Sequence, residues 1–319
     1  MARNTMEAWI PEEWGGKVVS KVQQSSAVEK LARPEPMATD VKNIPRDAGV
    51  DTESVSKGAA YGEDTSTNDV VTLTARKLGK AIRLAEEDLQ DTKNVANVLD
   101  NKKTSWATSY AKFLDNATLG VSAAENGTTI PFTSLYRALN TTNAATGYTA
   151  DDNVVVTVTG DTFLVTYDKL SAAFGLYEAG DYFDDENTVV IAHPYFKTAF
   201  RGIKDTTGQP VFVQGLAGTP DSLFGAPVSW TNGAKVTATA TSSPSGAGGA
   251  SGVAGNPLLF VGNKDYIVLG IRSGPESMVA PADSGVGFLT DETIIKMRAR
   301  RGFGVAHEKA WAVLEKVAA

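Results

Sequence analysis

At 319 residues with 42% apolar side chains, the chain can bury a sizeable core, as one large domain or two. It has a net charge of −7 and no cysteine. That excludes disulfides, thiolate metal sites and cysteine nucleophiles, fits synthesis in a reducing cytosol, and argues against nonspecific adhesion to DNA, which needs clustered Lys and Arg. No run approaches the roughly 20 consecutive apolar residues of a membrane span, and the opening MARNTMEAWIPEEW has no apolar signal core.

The first informative elements are KNIPR (42–46) and VVTLTARKLGKAIRL (70–84), which are rich in β-branched residues and read as two arms of a hairpin. Between them, AGVDTESVSKGAAYGEDTSTND is a polar insert of about twenty residues with almost nothing to bury, and a compact domain keeps such a loop only when it has a job. A hairpin this polar becomes ordered by lying on another molecule. After EEDLQDT (86–92), the residues Val95, Val98, Leu99, Trp106, Tyr110, Phe113, Leu114 and Ala117 recur at helical spacing, with Gly120 as the stop. The spacing predicts a helix over about 94–119, close to 40 Å long at ~1.5 Å per residue, with its aromatics as core packing.

Residues 120–152 are polar and irregular and read as an insertion. NVVVTVTGDTFLVTYDKL (153–170) begins as a strand and turns into a helix, with Leu170, Ala173, Phe174 and Tyr177 on one face and Gly180 at the stop. VVIAHP (189–194) is a short apolar strand whose Pro194 suits the first position of the next helix. TATATSSPSGAGGASGVAGNP (237–257) is dense in Gly, Ser and Ala and reads as a mobile segment.

Catalytic signatures are weak. The two histidines, His193 and His307, are far apart; HEKAW at 307–311 resembles the HExxH zinc motif, but Trp311 stands where the second ligand must be. His193, just before a helix start, reads as a cap or surface residue. GAGGASG has no GK[ST] after it and no apolar strand leading in, so neither a phosphate loop nor a dinucleotide fingerprint is present. Asp151 with Asp152 and Asp184 with Asp185 fall in polar loops, where solvated turn residues are the default. A glycan hydrolase using such a pair would need a cleft with perturbed acids. No catalytic residue, cofactor or metal is expected.

The order of elements resembles tailed-phage major capsid proteins of the Hong Kong 97 type. An N-terminal arm (IPEEWGGKVVSKVQQSSAVEKLA) leads to a strand and extended loop (KNIPRDAGVDTESVSKGAAYGED), a return strand (TLTARKLGKAIRLAEEDLQDT) and a spine helix. Downstream, IAHPYFKTAFRGIKDTTGQPVF, SLFGAPVSW, GNKDYIVLGIRSG and RARRGFGVAHEKAWAVLEK are similar to that family's later segments, so the likeness covers most of the chain. The fold it implies is α+β: an N-terminal arm at 1–40, an extended loop hairpin at 41–84, a peripheral domain with the spine helix at 85–188, an axial domain at 189–281 and closing peripheral strands at 282–319.

The function it implies is self-assembly into pentamers and hexamers of an icosahedral shell enclosing double-stranded DNA. The implied partners are further copies of the chain, a portal protein, a decoration protein, DNA held without sequence preference, and a scaffold that is a separate protein or absent, since the chain begins almost at the arm. Intersubunit contacts are expected from Trp9, Trp14, Lys57, Tyr61, Arg298, Arg300 and Arg301. Residues 46–69 hold six acids (Asp47, Asp51, Glu53, Glu63, Asp64, Asp69) against Arg46 and Lys57, whereas 293–301 holds Lys296, Arg298, Arg300 and Arg301 and no acid. The acidic loop is therefore expected to lie over a neighbour's basic strand, steering assembly more than adding affinity.

Some family members crosslink a loop Lys to a neighbour's Asn. Here the loop offers only Lys57, the position matching the reactive Lys is close to Tyr61, and DETIIKMRAR has no Asn, so noncovalent cohesion is expected. Two rivals remain: an encapsulin-like nanocompartment shell enclosing a cargo enzyme, and a surface adhesin.

Overall fold

A computed structural model describes residues 25–47, 52–63, 69–92, 98–157, 164–204, 222–243, 255–283, 287 and 289–317. Trp9 and Trp14 lie outside these residues, as do 48–51 and 64–68 of the polar insert and 244–254 of the Gly/Ser-rich segment. The chain divides into two compact units, the smaller from Gly79–Thr108 and Pro275–Arg298, the larger from the described residues within Gln24–Leu78, Ser109–Gly274 and Ala299–Ala319.

A one-turn helix α1 (Ala27–Leu31) precedes β1 (Arg33–Pro36), β2 (Val41–Arg46), β3 (Asp69–Thr74) and β4 (Arg76–Ala85). Strands β2 and β3 pair antiparallel with Ile44 opposite Val71 and Arg46 opposite Asp69, which is the hairpin expected from their β-branched content. Helix α2 (Glu86–Thr92) and the long helix α3 (Val98–Leu119) follow. Alternation of burial along α3 is weaker than its apolar spacing suggested. Its first ten residues are half-buried or exposed, whereas Leu114 to Leu119 are all buried, including Asp115, Asn116 and Thr118. The last turn is thus enclosed on every side, and its polar groups need internal partners.

The core of the larger unit is a mixed six-stranded sheet. Its members are β5 (Val154–Val156), β6 (Thr188–Ala192), β7 (Ser222–Leu223), β8 (Ala226–Trp230), β9 (Leu258–Asn263) and β12 (Trp311–Glu315), in the order β5-β12-β9-β6-β8-β7. Every residue of β6, β9 and β12 is buried, as expected of strands covered on both faces. Helix α5 (Tyr167–Glu178) lays Leu170, Ala173, Phe174 and Tyr177 on Leu259, Val261, Ala312 and Leu314, and α6 (Tyr195–Gly202) adds Phe196 to the same cluster. The opposite face meets α4 (Leu135–Leu139), where Tyr136 donates to the fully buried Glu315 Oε2 at 2.8 Å and Asn256 Nδ2 donates to Glu315 Oε1. Burial and the adjacent carboxylate both push the Tyr136 pKa upward.

Trp311–Glu315, read among the closing strands, lies between β5 and β9, so three segments of the expected division share one sheet. The physical reason is that a doubly covered apolar strand pairs wherever its two faces are matched, regardless of separation along the chain. Residues 120–152, read as a polar and irregular insertion, contribute to the core: Phe132, Leu135, Leu139 and Tyr148 are buried, and the Tyr148 hydroxyl donates to Leu139 O at 2.8 Å. The flanks of the Gly/Ser-rich segment are also built in, since Thr237 and Asn256 are buried.

A second sheet orders β1, β10 (Ile267–Ala280), β11 (Glu292–Val305) and β4 as β1-β10-β11-β4, with β1 parallel to β10. Gly262 of β9 marks a close approach in the core: a Cβ there would lie 2.5 Å from both Ala310 O and the Trp311 ring. Gly262→Ala is expected to destabilise the subunit by about 1–3 kcal/mol through overpacking; equilibrium unfolding in urea checks this, with the midpoint falling at unchanged slope.

Candidate functional site

The outer face of the β2–β3 hairpin presents Val41, Asn43, Pro45, Val70 and Thr72 to solvent, with no charge among them. Val41 and Val70 are about half exposed, at 50% and 53%. On the inner face, Leu73 packs with Met37 and Val268, flanked by Ile44. A small apolar root therefore holds a hairpin whose other face is open.

The loop end of the hairpin is locked by Arg46, the last residue of β2. Its Nε donates to Asp69 Oδ1 at 2.6 Å, its Nη2 donates to Asp69 Oδ2, and its Nη1 donates to Ala306 O at 2.7 Å. Those mutual hydrogen bonds raise the Arg46 pKa and lower that of Asp69. The planar fork serves both the cross-strand partner and the chain beneath it, a geometry that an ammonium cannot reproduce. Around it lies a cleft of about 100 Å³ lined by Arg46, Asp47, Asp69, Thr146, Tyr182 and His307, with the Tyr182 and His307 rings stacked 4.1 Å apart.

Beyond this clamp, residues 52–63 are almost wholly exposed. Tyr61 is 85% exposed and Lys57 is also on the surface, while Glu53 accepts from Gly62 N at 2.8 Å to fold the segment back on itself. The three arginines have different partners within the subunit. Arg298 donates to Glu276 at 3.1 and 3.2 Å. Arg300 pairs with Asp40, the same carboxylate oxygen that Arg272 approaches at 3.1 Å. Strand alternation turns Arg301 to the other side, where it is 6% exposed and donates to Glu29 Oε1 at 3.1 and 2.8 Å and to Ser273 O at 2.6 Å. Arg301 serves the interior of its own subunit, leaving Lys296 as the exposed base on the strand and Arg298 and Arg300 partly exposed.

Both histidines cap turns. His193 Nδ1 accepts from Tyr195 N at 3.1 Å and His307 Nδ1 accepts from Lys309 N at 3.2 Å, so each is a neutral ring with its proton on Nε2. Burial lowers each pKa from 6.5 to about 4, with Lys235 adding to the shift at His193; at His307, Glu308 and Asp69 oppose it while Arg46 and Lys309 assist. Among the described residues no group of three His, Asp or Glu is placed to hold a metal, and no helix is long and apolar enough to cross a membrane.

Comparison with known proteins gives the decisive observation: the model of the phage capsid family matches residues 7–316. The chain belongs to the phage capsid family. It is a major capsid protein, a structural subunit of a bacteriophage shell. A structure from Mycobacterium phage Ogopogo is similar over 99% of both chains at 20% identity, with a TM-score of 0.73. One from Mycobacterium phage Bobi covers 98% of this chain and 97% of its own at 15% identity and a TM-score of 0.70. The capsid of a native GTA particle covers 98% and 97% at 16% identity, also with a TM-score of 0.70. These likenesses establish the Hong Kong 97-type fold. No curated protein matches the chain in sequence.

Sequence reasoning identified the hairpin and its exposed loop but not the clamp at its loop end. The signal was present, since an Arg and an Asp bracket the insert, but the register that makes them partners is set only by the pairing of β2 with β3.

Two outcomes are expected. Arg46→Ala should speed amide exchange across 41–46 and 69–74, with Arg46→Lys recovering only part of the protection; hydrogen exchange read by mass spectrometry checks both. Because the folded state holds both imidazoles neutral, stability is fully present above pH 6.5 and is lost as pH falls from 6.5 towards 4. Thermal unfolding across that window should show the decline, and His307→Asn, which keeps a cap acceptor without a titrating ring, should flatten it.

Proposed function

We propose that copies of this chain form pentamers and hexamers that close into an icosahedral shell around double-stranded DNA, assembled in the host cytoplasm and without catalysis by the subunit. The observation that carries this reading is the hairpin: clamped by Arg46 where its loop begins, uncharged along its outer face, and continued by an exposed segment with little of its own to bury. Order in such an element comes from a neighbouring copy. Interfaces in obligate assemblies of this kind exceed about 2,000 Å², and symmetry closes them. The domain roles of arm, peripheral and axial parts, a portal, a decoration protein and a separate scaffold belong to the same proposal.

The charge pattern supports a finer point. Asp47, Glu53 and Glu63 on the loop face Lys296, Arg298 and Arg300 of the next copy, where Glu276 and Asp40 already hold the two arginines. Incoming carboxylates compete with internal ones, so this contact tunes register and encounter rate more than affinity. Trp9, Trp14, Lys57 and Tyr61 are proposed contacts on the arm and loop.

Electron microscopy of the purified chain, alone and with its neighbouring genes, is expected to show closed shells or capsomer rings; a persistent monomer under every co-expression and salt condition would overturn the reading in favour of an adhesin or enzyme. Arg300→Glu should slow assembly and change its salt dependence, and an unchanged rate profile would remove the charge pairing. Mature particles should run as a single band on a denaturing gel, because Lys57 and a strand without Asn do not supply the crosslinking pair; a ladder would contradict this.

A further inference from the structure

Asp115 and Asn116, near the C-terminal end of α3, are 1% and 0% exposed and serve different parts of the chain. The Asp115 carboxylate accepts four hydrogen bonds. Oδ1 receives Ser26 Oγ at 2.5 Å and Val28 N at 3.2 Å; Oδ2 receives Ala27 N at 3.0 Å and Thr231 Oγ1 at 2.6 Å. Ser26 Oγ also accepts from Glu29 N at 3.1 Å, closing the first turn of α1, and Thr231 Oγ1 accepts from Gly233 N at 3.1 Å. Asn116 Nδ2 donates to Gly233 O and Lys235 O, both at 3.1 Å, and its Oδ1 accepts from Thr237 Oγ1 at 3.0 Å and Thr241 N at 3.1 Å. Gly233 is required for this approach, since a Cβ there would lie 2.5 Å from the Asp115 Cβ.

A single buried carboxylate is therefore shared between the helix that follows the N-terminal segment and a loop 200 residues later. None of its four donors is charged, so no one contact satisfies it; each makes the burial of the others tolerable. Losing the Ser26 hydroxyl leaves a more poorly solvated carboxylate that the Thr231 side must compensate by moving, and the reverse holds equally.

We infer that Asp115 couples the docking of Ala27–Leu31 to the closure of the 231–241 loop, so that displacing either segment opens the other. The device is conformational: the seating of Ala27–Leu31 is read out in a loop remote from it in sequence, and by linkage the loop reports back with the same coupling.

Hydrogen exchange on the full chain tests this. Ser26→Ala is expected to accelerate exchange at Glu29 and at Gly233, Thr237 and Thr241 together, by roughly five- to tenfold at the loop, and Thr231→Val should accelerate exchange in 27–31 by a similar factor. The double variant should show non-additive changes. Faster exchange in 27–31 with 231–241 unchanged, or additive effects in the double variant, would overturn the inference. Should Ser26→Ala fail to fold, Glu29→Gln loosens the same helix through a different side chain, held by Tyr110 and Arg301, without touching Asp115. That variant must also open the loop; a loosened α1 beside an undisturbed 231–241 loop would refute the coupling.

Discussion

Buried polar groups must find partners, and in the larger unit that constraint organises the chain around the last turns of α3. Leu114, Ala117 and Leu119 fill space there, but Asp115 and Asn116 choose which segments pack: the start of α1, the turn at 231–233 and the strand-like run to 241. Apolar contacts alone would tolerate several arrangements of these loops. Eight hydrogen bonds to two adjacent side chains tolerate one, because any other leaves a desolvated carboxylate or amide unpaired. Glu315 repeats the logic on the far strand, where Tyr136 and Asn256 bring α4 and the 255–257 turn onto the sheet.

The surplus of order in this unit explains how the hairpin can be so open. Strands β2 and β3 form a sheet of only two members, which in isolation is marginal in water. They persist because Leu73 is sunk among Met37 and Val268 and because Arg46 fastens the loop end of the ladder to Ala306. A shell subunit needs this division: a rigid body that fixes the root, and an arm free to be shaped by contact.

Local pattern was legible in the sequence wherever a segment decides its own conformation. The β2–β3 arms, the face of α5 and the strand at 188–192 follow from β-branched content, helical spacing and short apolar runs. What was not legible is pairing at a distance. Nothing within WAVLE says that it belongs beside LLFVGN, and the polar look of 120–152 hides Phe132, Tyr136 and Tyr148 because Asn and Thr in its turns satisfy backbone groups while the aromatics point inward. The basic run at 296–301 misled for a simpler reason: charge count carries no information about which side of a strand each residue occupies, and Arg301 faces in. Asp115 and Asn116 occupy the expected polar positions between Leu114 and Ala117, so the helix's rhythm hid a buried polar junction.

The position of β12 has a consequence for how the protein is made. Translation proceeds from the N-terminus at about 5–20 residues per second, so β5, β6 and β9 leave the ribosome before the strand that joins β5 to β9 exists. Until Glu315 has emerged, two edges of the central sheet stay open and the subunit lacks its finished core.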